Sequence, residues 1–104
     1  MKDKSYTFRA KLWLYPGQAA WHFVSLPDEL AANIRILHAH KRSAWGSIKV
    51  TATIGKTKWQ TSIFADKRSG TYLLPVKAEV RKREGLKQDM SVGVSLALPE
   101  QLLP

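Results

Sequence analysis

The side chains in this sequence best suited to chemistry are cations. Lys77, Arg81, Lys82, Arg83 and Lys87 fall within one short stretch. If that stretch is helical, Lys77 and Arg81, four apart, share a face. Such a pair can present converging donors to a phosphate or another anion. Glu79 and Glu84 are interleaved with them, so the competing reading is a solvated helix face with its own internal ion pairs. Aromatic residues form the second group. Trp13, Trp21, Trp45, Trp59 and Tyr72 would be stacking platforms if they lined an open face beside Lys49, Lys56 and Lys58, as in barrels that hold single-stranded nucleic acid. Packing in the core is the commoner use of such side chains. Trp13 differs from the rest, because it alternates with Arg9 and Lys11 rather than with the apolar set; it either packs under a helix or stands exposed.

Other chemistries find less support. There are no cysteines, which excludes disulfides, thiolate zinc sites and cysteine nucleophiles and fits a reducing, cytoplasmic compartment. The imidazoles are His22, His38 and His40. A zinc site built from them would need carboxylate help, and His38 and His40 do not share a helical face, so no metal and no other cofactor is expected. Thr61 and Ser62 are candidate nucleophiles only through their closeness to Lys58 and Trp59; no Gly-x-Ser-x-Gly elbow or partner base accompanies them. Asp28 and Glu29 are adjacent and are explained by the favourable interaction of acids with a helix start. The six glycines are isolated, so no phosphate-cradling loop exists. No catalytic residue is assigned, and an enzyme is the third reading.

Those side chains are carried by a chain whose pattern is mostly of period two. Tyr6, Phe8, Ala10, Leu12 and Leu14 alternate with Thr7, Arg9, Lys11 and Trp13 as a half-buried strand. Pro16-Gly17 marks a turn, and Ala20 to Leu26 forms a second strand. Pro27, the acids Asp28 and Glu29, and Leu30, Ile34 and Leu37 at helical spacing predict a helix from 27 to 38. Alternation returns in Ile48, Val50, Ala52 and Ile54, and with Gly55 and the Trp59 to Phe64 segment it makes 45–65 a hairpin. A turn over Asp66 to Gly70 leads to a short strand, Thr71 to Leu74. Pro75 is expected to open a second helix reaching Arg83, closed by Gly85, before a last strand from Met90 to Leu98.

Six strands and two short helices in 104 residues predict one domain spanning 1–104, mainly β, closed into a small barrel capped by the helices. A faint repeat runs through it. A strand enters Leu26-Pro27, a helix and a strand follow, and the same order recurs from Leu74-Pro75, 48 residues later (75 minus 27). This suggests pseudo-twofold halves. No apolar run is long enough to cross a bilayer, and the charged start, Met1 to Arg9, does not resemble a secretory signal.

Three stretches carry a resemblance. They are Trp21-x-Phe23-Val24-x-Leu26-Pro27, the Ser47 to Gly55 strand, and Trp59-x-Thr61-Ser62-Ile63-Phe64 with Gly70-x-Tyr72-Leu73-Leu74-Pro75-Val76-Lys77 and Val80-Arg81-Lys82. Their order and spacing resemble the bacterial family called domain of unknown function nineteen-oh-five. The resemblance implies a double-split β-barrel, related in fold to swapped-hairpin regulators of the AbrB and MazE type, and implies no activity. Gly70, Pro75, Arg81-Lys82-Arg83, Gly85-Leu86 and Asp89 also resemble one hairpin of those regulators. The first half, with Arg35 and Lys41-Arg42, lacks the matching basic surface.

Seventeen Lys and Arg against eight Asp and Glu give a net charge of +9, spread almost evenly as +5 over residues 1–52 and +4 over 53–104. Such a surplus suits solubility or an anionic partner. The expectation is a non-catalytic binding or accessory domain using Trp59, Tyr72 and Lys77 for an unidentified small molecule or protein. The alternative is nucleic-acid binding through Lys77, Arg81, Lys82, Arg83, Lys87 and Lys49. A chain holding both hairpins needs no partner to close its barrel, so a monomer is expected, with no membrane association.

Overall fold

The structure is a computed structural model that describes residues 3–17, 21–37 and 46–99. In chain order the elements are β1 (Asp3–Leu14), β2 (His22–Ser25), α1 (Asp28–Leu37), β3 (Ser47–Ile54), β4 (Thr57–Asp66), β5 (Thr71–Pro75), α2 (Ala78–Glu84) and β6 (Ser91–Pro99). Trp45, His38, His40, Lys41 and Arg42 lie outside the described residues.

The strands close into an antiparallel barrel in the order β1-β2-β5-β4-β3-β6. Period-two alternation sets its inside: Ile48, Val50, Ala52 and Ile54 of β3 and Val92, Val94, Leu96 and Leu98 of β6 are buried, together with Leu12, Val24, Ile63, Tyr72 and Leu74. Ala31 and Ile34 of α1 and Val80 of α2 join this core. The tight β3–β4 connection places Gly55 at φ 59, a left-handed conformation that costs glycine little. Asp66 shapes the β4–β5 turn. Its Oδ2 accepts from Ser69 Oγ at 2.6 Å and from the Ser69 N–H at 3.2 Å, and the Ser69 hydroxyl chiefly holds its carboxyl below the usual carboxylate range.

The two halves are related by strand pairing. Exchanging β1 with β4, β2 with β5 and β3 with β6 turns the strand order into itself. The Leu26 N–H donates to the Tyr72 carbonyl at 3.0 Å, and the Val76 N–H donates to the His22 carbonyl at 2.9 Å. These bonds are mates if Leu26 matches Val76 and His22 matches Tyr72, an offset of 50 (76 minus 26). The helix starts agree, since the Ala31 N–H bonds the Pro27 carbonyl as the Arg81 N–H bonds that of Lys77. Pro27 therefore matches Lys77 rather than Pro75. The sequence spacing of 48 misaligned the repeat for a local reason: Pro75 does not open a helix. It pairs with Phe23 at the end of β5, the Val76 N–H continues the bonding to β2, and Lys77, extended at φ −69, ψ 162, is the N-cap residue of α2.

Each half leaves its barrel wall split. β4 pairs with β3 from Thr57 to Phe64 but with β5 only from Phe64 to Asp66. Likewise β1 pairs with β6 from Asp3 to Lys11 but with β2 only from Leu12 to Leu14.

Candidate functional site

Where β4 and β5 diverge, a cleft of about 670 Å³ opens. Its floor and sides come from Leu73, Pro75 and Val76 at the end of β5, and from Phe23 and His22 of β2 with Trp21 just before it. Facing them, β4 contributes Trp59, Gln60, Thr61 and Phe64. Trp59 and Thr61 pair with Ala52 and Val50, on the barrel-inward side, whereas Gln60 and Phe64 have the opposite parity. Residues from both faces of β4 line the cleft, so it lies along the strand's edge, in the split itself. The third wall is α2 and its entry, with Lys77, Ala78 and Arg81.

The surface of this cleft is mainly hydrocarbon, and its described charged residues are both cationic. Arg81 is half-buried and its Nε–H donates to the Val76 carbonyl at 3.1 Å, which orients the guanidinium on the wall. Lys77 Nζ lies 3.7 Å from Glu79 Oε1, with side chains 57% and 63% exposed; an ion pair this long and this wet holds its partners weakly. α2 is tethered at its other end. Glu84 Oε2 accepts from Thr57 Oγ1 at 2.6 Å and from the Lys56 N–H at 3.2 Å, tying the helix to the β3–β4 turn. A Cβ on Gly55 would collide with Glu84 Oε1.

The sequence-derived candidates are distributed as follows. Trp59 and Lys77 both line the cleft. Tyr72 is wholly buried inside the barrel, its ring under the Arg35 guanidinium at 5.7 Å, and its hydroxyl has no hydrogen-bond partner among the described residues. Of the basic set, Lys77 and Arg81 reach the cleft, while Lys82, Arg83 and Lys87 are exposed elsewhere on α2 and the loop after it. Arg83 Nη2 lies 3.5 Å from Glu79 Oε2, so Glu79 serves both of its cationic neighbours. Lys49 is exposed on β3 opposite Ser62. Thr61 and His22 line the cleft, and Asp28 and Glu29 occupy the first turn of α1.

Trp13 neither lies under a helix nor stands free. It sits half-buried on the outside of the β1–β2 hairpin, its Nε1–H donating to Ser25 Oγ at 2.9 Å, with its ring 5.4 Å from Phe23 and 6.1 Å from Tyr15. Trp21 extends the cluster, 6.5 Å from Phe23 and 58% exposed at the cleft. The cleft wall supplied by Phe23, Phe64, Leu73 and Pro75 was missed from the sequence, because it depends on which strands part company rather than on any spacing along the chain.

No helix among the described residues is long and apolar enough to cross a membrane. No curated protein matches the chain. The family model described as Domain of unknown function (DUF1905) matches residues 8–96. With nearly the whole barrel covered by that match, the chain belongs to the DUF1905 family.

Proposed function

We propose that the domain is a non-catalytic binding module whose ligand site is the split between β4 and β5. One observation carries this reading: a cleft of about 670 Å³, apolar on most sides and bearing a few polar groups, matches the size and lining of small-molecule sites in general. The module works as a monomer in the cytoplasm, since its barrel closes within one chain and nothing in it depends on cysteine.

Ala78 offers the test, because it is exposed, lines the cleft and sits in the first turn of α2. Ala78→Trp fills the space without disturbing the core. Wild-type protein is expected to bind apolar aromatic fragments such as naphthalene derivatives, seen as a change in tryptophan fluorescence, and the variant to lose that binding while its melting temperature stays within a few degrees. Equal binding by the two proteins would overturn the reading.

A further inference from the structure

Resting on that reading of the cleft, we infer that its ligand is an organic anion, an apolar body of aromatic or branched hydrocarbon carrying one carboxylate or phosphate head that lies between Lys77 and Arg81. Pseudo-symmetry supplies the control. At the offset of 50, the first half places Pro27 and Ala31 where the second has Lys77 and Arg81. The barrel itself is thus built at this position without cations, and both charges are additions particular to the cleft. They stand on the same helical face, four residues apart. Among the described residues no carboxylate lines the cleft against them.

Their environments suit complementary tasks. Arg81, half-buried and anchored through Nε, offers a fixed planar charge, as charge-assisted recognition of carboxylates and phosphates requires. Among the described residues Lys77 is held only by its long contact to Glu79 and can swing to the bound head. Opposite them, the rings of Phe64 and Trp59 and the side chain of Leu73 receive hydrocarbon. Beyond the three-residue pairing with β5, β4 has no ladder partner on this side among the described residues. In an antiparallel strand whose Trp59 and Thr61 bond to β3 from a two-residue turn, the Gln60 N–H and C=O face the split. A ligand bearing one further polar group would find a backbone donor and acceptor there. Nucleic acid fits less well, because the cleft is a pocket for one small molecule and, of the outer cations of α2, Arg83 already faces Glu79 at 3.5 Å.

An isosteric pair of probes tests this on the unaltered protein: 2-naphthoate and its neutral counterpart 2-naphthamide, titrated while backbone amide shifts are recorded. Naphthoate is expected to bind about two- to fivefold more tightly, the range for a charge contact at a partly exposed site, and to shift the amides of Gln60, Leu73 and Arg81. Lys77→Met and Arg81→Gln should each reduce that advantage, read as the ratio of the two affinities within each variant, and together abolish it. Equal affinities for the two probes, both shifting cleft amides, would overturn the anion assignment and leave the cleft as a binding site. If neither probe shifts cleft amides, both the assignment and the site are overturned. Should a variant misfold, the comparison of the two probes on the unaltered protein still decides the matter.

Discussion

At the scale of single residues, Glu84 does more than its place in a basic helix suggests. Its carboxylate accepts hydrogen bonds from Thr57 and Lys56 and so fixes the end of α2 against the turn that begins β4, the two elements that flank the cleft. Thr57 is buried, and a buried hydroxyl deprived of its acceptor is costly. Glu84→Ala is therefore expected to lower the unfolding free energy by roughly 1–3 kcal/mol, and Glu84→Gln, which keeps an acceptor, by less. Urea unfolding of the three proteins would check the order. A Glu84→Ala variant as stable as the parent would show that the tether carries no weight.

At the scale of elements, the exchange of the halves explains where sequence reading succeeded and where it stopped. Strands β3 and β6 were legible because strict alternation admits one reading: every second side chain from Ile48 to Ile54 and from Val92 to Leu98 is buried. The second helix was displaced because proline supports either a helix start or a strand end, and only the pairing of Pro75 with Phe23 decides between them. Trp59 and Lys77 were singled out from type alone. Tyr72 was grouped with them because adjacent strand residues look alike in sequence, although they point to opposite faces; it is Leu73, not Tyr72, that faces the cleft.

The same comparison of halves suggests a substitution. Lys77 has φ −69, close to the value a proline ring imposes. Its mate in the other half is Pro27. Lys77→Pro is thus expected to raise stability by about 0.4–1 kcal/mol through the unfolded state, while weakening naphthoate binding. Thermal unfolding and titration of the one variant read both effects, and a drop in stability would contradict the proposed match between the halves.

At the scale of the whole molecule, the barrel is closed in its strand order yet incompletely paired in its wall. Both splits follow from strands that are long on one side and short on the other: β1 and β4 each run beside one full-length neighbour and touch a second over three residues. Related construction does not make the halves chemically alike, since cations flank α2's split and a proline and an alanine hold those positions at α1's. A net charge of +9 draws anions toward the protein in general, but the geometry directs one kind of anion to one place. The most direct test is therefore where a bound anion sits. In a map of amide and indole shifts with saturating 2-naphthoate, the largest changes are expected at Trp59, Gln60, Leu73, Val76 and Arg81, with the outer strands β1 and β6 unmoved. Shifts centred instead on Lys82, Arg83 and Lys87, or scattered over the basic surface, would contradict the account and return the charge of α2 to nucleic-acid contact or to plain solvation.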